Sequence, residues 1–447
     1  MSKAKDYLTT KNPLRAILVF CLPMVLGSMF QQFYSLADSA IVGRFVGEGA
    51  LAAVGASASL SSVLLFIAIG GGVGSSVWVG KYFGAGDYKR ARASINTSII
   101  FFVAVGVVLA SIMRIFSYPL MQLLNTPEDI LGVSVNYLDI YLYGLPLLFL
   151  YNVVTAMFNA LGRSRIPLFF LIFSSLLNVG LDLYAVIGLN LGVEGAAWAT
   201  FIAQGLSAVL SLFVLLREIK KLSPDKGRIF DKAELKPMIK LAIPSIIQQT
   251  TVSIGLLLVQ VVVNGFGSEA MAGFTASSRI SSVCIVPMTA IGNATSAYVA
   301  QNLGAGRADR IKAGYKASNL IVVAFAFLIG AVLELFPREL MGLFISAEDA
   351  TLTAMNTGVG YLTFIGWFFC FMGFKQTADG VLKGSGDTVV FTVANFINQG
   401  VRVLLPFLLA KVVGIAIVWY VVPVGWIINT LISHIRYKSG KWKNKLV

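Results

Sequence analysis

The chain has 447 residues, of which 57% are hydrophobic and only 13% are charged, and its formal net charge is +14. A soluble protein carries about 25% charged residues, and a globular domain this apolar would expose patches that aggregate. The composition therefore excludes a water-soluble fold. The three cysteines, Cys21, Cys284 and Cys370, lie in apolar runs, so we interpret them as buried hydrophobic residues and not as a disulfide framework.

Twelve apolar runs follow one another along the chain, and each is long enough to cross a bilayer, which takes about 20 residues. All twelve should be helices, because a backbone in lipid must satisfy its polar groups within its own segment. In chain order, the predicted spans are 16–43, 52–78, 93–118, 133–160, 167–188, 193–217, 238–265, 272–299, 313–336, 355–382, 388–411 and 413–435.

Lysine and arginine concentrate in alternate loops and at both termini. The intervening loops contain few basic residues, and several carry acidic ones, such as Glu48, Glu194 and Glu269. The positive-inside rule then places both termini in the cytoplasm of a multi-pass inner (plasma) membrane protein. The charge of +14 is mostly a topology signal, and we expect no nucleic-acid partner. The basic clusters lie at 3–15, 81–92, 217–240, 307–316 and 436–445.

An internal repeat divides the chain into two halves. The segment GEGALAAVGASASLSSV (47–63) matches GSEAMAGFTASSRISSV (267–283), and GKYFGAGDYKRARA (80–93) matches AQNLGAGRADRIKA (300–313). Both pairs are related by the same shift in residue number, which we call the repeat shift. Six spans per half is an even number, so the halves should be related by an axis along the membrane normal. The predicted domains are a lobe at 1–216, a cytoplasmic linker at 217–237, and a lobe with a basic tail at 238–447.

The predicted fold class is an all-α polytopic membrane protein with twelve transmembrane helices in two pseudo-symmetric six-helix lobes. Duplicated bundles of this kind are typical of alternating-access transporters, although a static scaffold with a duplicated core remains an alternative. The sequence shows no nucleophile–base pair and no metal cluster at an interface, so we predict that the protein is not an enzyme and has no organic cofactor.

A carboxylate stands within the fifth predicted span, at Asp182 in NVGLD. The repeat shift aligns this stretch with NQGVR, so that Asn178 matches Asn398 and Asp182 matches Arg402. The halves keep the asparagine and carry opposite charges. An ionisable residue in a span usually faces a cavity or a partner. Asp182 therefore indicates a function that belongs to the first half and is not required by the repeat structure.

Four polar residues should lie at one depth in the first half. Asp38, Asp182 and Thr200 are each about six residues from the outer end of their spans, which is about 9 Å at 1.5 Å per residue, and Asn178 is one turn deeper on the face of Asp182. Two carboxylates, an amide oxygen and a hydroxyl could hold Na⁺ or a shared proton. The alternative is that each group bonds separately to a neighbouring helix.

Other polar residues in the spans are weaker candidates. Pro23 and Pro244 match across the halves within one residue of the repeat shift, and Pro23 is either a hinge or only a bend. A local ion pair is expected between Asp379 and Lys383, four residues apart. The candidates for a substrate cavity are Gln31, Gln32, Tyr34, Gln248, Gln249 and Arg402.

Several motifs resemble those of the multidrug and toxic compound extrusion (MATE) transporters of bacteria. They are LNVGLDLYAVIGLNLGVEGAAWAT, the paired GAG loops with basic followers, and VLKGSGDT. The resemblance implies a cation-coupled (H⁺ or Na⁺) antiporter that exports amphipathic, often cationic organic compounds by alternating access. In the most similar branch, the coupling residues match Asp38, Asn178, Asp182 and Thr200, and the first-helix proline matches Pro23.

The resemblance allows a second hypothesis, namely a flippase for lipid-linked saccharides from the same superfamily. Such proteins often have arginine in their cavities, and Arg402 and Arg279 are the arginines that support this hypothesis here. Under either reading the partners are small organic molecules and the lipid bilayer, and we expect a monomer. Another MATE branch binds Na⁺ through acids in its seventh and tenth helices, whereas span 7 here has Gln248 and Gln249 in place of an acid.

Overall fold

The computed structural model describes residues 7–223, 228–345, 351–443 and 445. Residues 1–6 of the first predicted lobe, residues 224–227 of the predicted linker, and residues 346–350, 444 and 446–447 of the second predicted lobe lie outside the described part. Within it the ordered elements are helices. The first half contains α1 Tyr7–Thr10, α2 Pro13–Phe45, α3 Glu48–Gly84, α4 Tyr88–Ile115, α5 Ser117–Leu123, α6 Glu128–Ala160, α7 Arg165–Leu183, a π-helical turn Tyr184–Gly188, and α8 Gly192–Leu222.

The second half repeats this order of long and short helices. It contains α9 Lys232–Asn264, α10 Ser268–Gly304, α11 Ala308–Leu335, α12 Pro337–Gly342, α13 Leu352–Gly366, α14 Phe369–Gly384, α15 Thr388–Val413 and α16 Ile417–Lys438. Across the described residues, eleven helices are long and apolar enough to span a membrane, and the bent pair α13–α14 makes a twelfth. The predicted fold class is therefore confirmed.

The tenth span was predicted to be one helix over 355–382, but the structure divides it into two helices, α13 and α14. The chain bends by 55° between α13 and α14, at Trp367 and Phe368. The break follows Gly366, whose carbonyl oxygen is closely approached by Gly330 of α11: a Cβ added at Gly330 would lie 3.1 Å from it. This contact is tighter than most Cβ contacts, so a side chain at position 330 would require Gly366 to shift by a few tenths of an ångström.

The repeat seen in the sequence is also present in the helices. The short helices α5 and α12 begin at Ser117 and Pro337, two positions related by the repeat shift. The two GAG loops are tight turns, as predicted, and their second glycines have matching positive φ angles, 74° at Gly86 and 69° at Gly306. An L-residue rarely adopts this conformation, so the glycine is required by the turn.

The helices form two compact units. The C-terminal unit combines the residues up to Val25 with those from Ile247 onward, and the N-terminal unit runs from Leu26 to Ile246. This division differs from the predicted lobes at 1–216 and 238–447, because the opening sections of α2 and α9 are each assigned to the unit built mainly from the other half.

Core packing explains these assignments. Ile17 and Phe20 of α2 are fully buried in the core of the C-terminal unit, beside Met288 and Tyr298. In the N-terminal unit, α3 packs so tightly on α9 that a Cβ added at Gly74 would lie 2.3 Å from Cα of Ala242. Apolar burial thus holds each opening section within its unit.

Polar contacts hold the start of each of these helices as well. In the C-terminal unit, Arg310 donates to the carbonyl of Lys11, and Arg307 donates to the carbonyl of Thr9 at 2.7 Å. In the N-terminal unit, Arg90 lies 3.3 Å from the buried carboxylate of Glu234, near the start of α9. The repeat shift relates Arg90 to Arg310, so the duplication places an arginine at the same point of each unit.

Glycine contacts between α10 and α14 make a first prediction. A Cβ at Gly380 would lie 2.4 Å from the carbonyl oxygen of Gly292, whereas nothing lies within 4 Å of a Cβ at Gly360. Gly380→Ala should destabilise the protein by about 1–3 kcal/mol through overpacking, lowering its thermal unfolding temperature in detergent. Gly360→Ala, the control within a helix of the same unit, should leave that temperature unchanged or raise it slightly. Equal unfolding temperatures for both variants would contradict the packing.

Candidate functional site

Asp182 lies at an unusual point of the chain. It is the last residue but one of α7, and a π-helical turn begins at Tyr184, where the amide of Leu189 bonds back to the carbonyl of Tyr184 at 3.0 Å. The chain then reverses through Asn190, whose φ is 52°, into α8. π-Helical turns are rare in proteins, and those that occur are often found at functional sites. Asp182 itself is completely buried, at 0% exposure.

Asn178 holds one oxygen of this carboxylate. The amide is best placed with its nitrogen toward Asp182, where it donates to Oδ2 at 2.8 Å. Its oxygen then accepts from the backbone nitrogen and the hydroxyl of Thr200, each at 3.1 Å. The three residues form a chain of hydrogen bonds between α7 and α8. Because Asn178 and Asp182 are one helical turn apart, they share a face of α7.

Asp38 of α2 completes an acid pair. Its carboxyl group lies next to that of Asp182. Oδ1 of each aspartate is buried and has no hydrogen-bond partner. The structure therefore brings all four predicted residues, Asp38, Asn178, Asp182 and Thr200, into one cluster. Their predicted role in ion coupling stays a prediction.

Tyrosines surround this cluster. The side chain of Tyr34 lies beside Thr200, and Tyr137 lies close to Asp38. On α6, Tyr141 donates to the carbonyl of Ser61 at 3.2 Å. Beside Thr200 is a small cavity, lined by Tyr137, Ile140, Tyr141, Gly144, Leu148, Ala197, Thr200, Phe201 and Gln204.

Tyr137 and Tyr141 were not identified from the sequence. Both are neutral and stand in an apolar run, where an aromatic side chain usually indicates only core packing. One signal was available for Tyr141, because Tyr361 occupies its position in the second half. The repeat could therefore have identified this residue, as it identified Asn178 through Asn398.

The cluster offers hard oxygen ligands in a low-dielectric setting. Two neighbouring carboxylates repel each other when both are ionised, and a proton or a monovalent cation would reduce that repulsion. Oδ1 of Asp38 and Oδ1 of Asp182 are the oxygens that have no protein partner. Buried polar atoms without partners carry a free-energy penalty that such a ligand would remove.

The other predicted residues are more scattered. Tyr34 is at the acid cluster, but Gln31 is exposed, and Gln32, Gln248 and Gln249 are partly exposed on α2 and α9. Their part in a substrate cavity stays a prediction. Pro23 is buried inside the unbroken α2, two residues before the boundary between the compact units, and its role as a hinge likewise stays a prediction.

The predicted ion pair between Asp379 and Lys383 is wrong. Asp379 pairs instead with Lys375, one turn earlier on α14, at 3.0 Å. Its carboxylate also accepts from Asn395 and Ser433, each at 3.0 Å, and these residues come from α15 and α16. Lys383 does not pair with Asp379, because its ammonium group donates instead to the side-chain oxygen of Asn293 on α10 at 3.2 Å. Contacts between helices thus decided between two lysines equally distant in sequence.

A duplicated set of membrane-spanning helices that encloses a buried acid pair defines a class of protein, the polytopic membrane transporters. The MatE family model matches this chain at residues 23–184 and 244–408. The protein therefore belongs to the MatE family, and the resemblance noted in the sequence is confirmed.

Individual relatives agree with this assignment. The probable multidrug resistance protein YoeA of Bacillus subtilis is 30% identical, over 97% of this chain and 95% of its own. A protein of Shewanella oneidensis named FAD transporter is 26% identical, over 74% of each chain. A solved structure described as the outward-facing conformation of a multidrug resistance MATE family transporter has a TM-score of 0.91 at 21% identity, over 99% of both chains, which indicates the same fold.

The buried Lys375–Asp379 pair leads to a second prediction. Asp379→Asn would leave the ammonium group of Lys375 buried without its counter-charge, at a cost of about 3–5 kcal/mol, so thermal unfolding in detergent should occur at a clearly lower temperature. Adding Lys375→Met should restore part of the loss, because no unpaired charge remains. If the losses of the two single variants simply add in the double variant, the residues do not interact as a pair.

Proposed function

We propose that the protein is a cation-coupled multidrug antiporter, which exports amphipathic, often cationic organic compounds by alternating access in exchange for H⁺ or Na⁺. The observation that carries the proposal is the acid pair of the fully buried Asp182 and the partly buried Asp38 within a transporter of the MatE family. Relatives named as multidrug resistance proteins support the substrate class. We also propose that the protein acts as a monomer, which the mass of the solubilised protein would test.

Ion binding can drive transport through the energy of the acid pair. Two bare carboxylates repel each other, and each loses hydration in a dry site, so a conformation that seals the pair from water is unfavourable until an ion arrives. A proton or Na⁺ removes that penalty. The ion then shifts a two-state equilibrium by as much as its affinities for the two states differ.

Each residue of the cluster has a distinct task in this proposal. Asp182 binds the ion together with Asp38, since both keep an unpartnered Oδ1. Asn178 positions Asp182 through its 2.8 Å hydrogen bond, and Thr200 fixes the Asn178 amide from α8. Tyr34 connects α2 to Thr200, so a change at the acid pair would be transmitted to three helices.

Variants of the acid pair test the coupling. In vesicles containing the purified protein, a cationic dye should move against its own gradient when a Na⁺ or a pH gradient is imposed separately. Asp182→Asn and Asp38→Asn should abolish this uphill movement, because an amide can neither release a proton nor balance a cation. Asp129→Asn, which changes an exposed carboxylate on α6, is the control and should transport normally.

Two outcomes would count against the proposal. Uphill export by Asp182→Asn at the wild-type rate would place ion coupling elsewhere in the protein. Wild-type export that ignores both gradients would exclude antiport with Na⁺ or H⁺. Thermal unfolding of each variant in detergent separates a lost function from a lost fold.

The flippase remains the second candidate, and one residue favours it. Arg402 is partly buried on α15, whereas Arg279, the other arginine of that hypothesis, is exposed. The relative named for FAD carries a substrate with a diphosphate, a group that lipid-linked saccharides share. Purified protein that binds a lipid-linked saccharide and does not bind cationic dyes would favour the flippase over multidrug export.

The proposed location is the inner (plasma) membrane, with both termini in the cytoplasm, and single cysteines test it. In a variant whose three native cysteines are replaced, Glu194→Cys should react with a membrane-impermeant maleimide on intact cells, because its loop has few basic residues. Lys443→Cys, at the basic end of the chain, should react only after lysis. Both positions are exposed. The opposite pattern would invert the orientation.

A further inference from the structure

Arg402 is a cation placed deep within a membrane span. It lies on α15, about 21 Å from the end at Thr388 and about 16 Å from the end at Val413, at 1.5 Å per residue. The guanidinium of arginine stays charged in proteins. A charge at this depth costs several kcal/mol and typically faces a partner or a cavity in the protein.

Arg402 has no counter-ion in the part of the chain that the structure describes. The nearby acids of α14 and its following turn are occupied, since Asp379 pairs with Lys375, and Asp387 pairs with Arg436. None of the ion pairs found involves Arg402, and its buried Nε has no hydrogen-bond partner. Among the described residues, Arg402 therefore lacks the anion that a cation at this depth calls for.

The surroundings hold Arg402 in place and are themselves polar. Its stem packs against α16, where a Cβ added at Gly425 would lie 3.1 Å from Cγ of Arg402 and 2.4 Å from Oδ1 of Asn398. Asn398 and Gln399 are each 4% exposed, and both side-chain oxygens lack a partner. Tyr361 of α13 interacts electrostatically with Arg402.

The repeat shows that this arrangement matches the acid site of the first half. The repeat shift relates Tyr141, Asn178 and Asp182 to Tyr361, Asn398 and Arg402, in that order. The hydroxyl of Tyr141 donates to the backbone carbonyl of Ser61, and Tyr361 lies beside Ser281, the residue that the repeat shift relates to Ser61. Each half thus places a tyrosine and an asparagine around one ionic group, and the sign of that group is reversed.

We propose that Arg402 is the centre of a subsite, in the C-terminal unit, that binds a carboxylate or phosphate group of the transported compound. The guanidinium is suited to bidentate hydrogen bonds with such a group, and the unpaired oxygens of Asn398 and Gln399 can accept from N–H or O–H groups of the same molecule. The inference rests on the proposed export function and adds a substrate class to it, namely amphipathic acids and zwitterions alongside simple cations.

A matched pair of dyes isolates the acid group. A rhodamine with a free carboxylate and its methyl ester share one ring system, and fluorescence titration of the purified protein gives the Kd of each. Arg402→Gln should raise the Kd of the acid dye roughly tenfold or more, as expected for the loss of charge-assisted hydrogen bonds, and change that of the ester less than about twofold. Arg402→Lys should retain part of the preference for the acid.

Arg338→Gln is the control, because it removes an exposed arginine on the short helix α12 of the same unit and should affect neither dye. An unchanged Kd of the acid dye in Arg402→Gln would overturn the proposal, and so would an equal loss for both dyes in a variant that unfolds at the wild-type temperature. If Arg402→Gln does not fold, Arg402→Lys decides: preference for the acid should shrink without loss of ester binding.

The same chemistry could come from an anionic lipid headgroup, and the bilayer composition distinguishes the sources. Titrations in phosphatidylcholine nanodiscs are repeated with phosphatidylglycerol added. Weaker binding of the acid dye in the wild type, but not in Arg402→Gln, would show that headgroups occupy the subsite, and unchanged binding would support a freely diffusing acid. Ion-driven export of the ester dye tests the proposed function separately, since it does not require the subsite.

Discussion

A polar group inside a membrane protein must find its partner within the protein, and this constraint organises the structure. Glu234 is held by Arg90 and Ser94, and Asp379 by Lys375, Asn395 and Ser433. Groups satisfied in this way stabilise helix contacts. The acid pair and Arg402 are among the groups that keep unpartnered buried atoms, and in the proposals above an ion or a substrate group removes the resulting penalty.

Duplication explains where these exceptions occur. Each half supplies a buried asparagine one turn before an ionic residue, and a tyrosine at the matching position of the repeat. The frame fits either sign of charge, because tyrosine and asparagine can both donate and accept hydrogen bonds. An acid in one half responds to ions, whereas an arginine in the other stays charged in all conditions. One scaffold can thus provide a switchable site and a constant one.

Much of this architecture could be predicted from the sequence, because a bilayer imposes a fixed length on each apolar run. The spans, the repeat and the common depth of Asp38, Asp182 and Thr200 all follow from counting residues. The partner of Asp379 could not be found by counting, since Lys375 and Lys383 are equally distant and Asn293 of another helix decides between them. The bend after Gly366 and the exchange of the openings of α2 and α9 likewise depend on packing between helices far apart in sequence.

That exchange has a consequence for biosynthesis. Ile17 and Phe20 emerge from the ribosome early, but the core that buries them includes Met288 and Tyr298, which are synthesised more than half a chain length later. The first unit is also incomplete until Ala242 has been made. Neither unit can therefore finish folding when only the first half of the chain has been synthesised. Until the second half is made, the apolar helix faces of the nascent protein must remain exposed to lipid. A gene cut between the halves would yield two fragments, each lacking a piece of its own core.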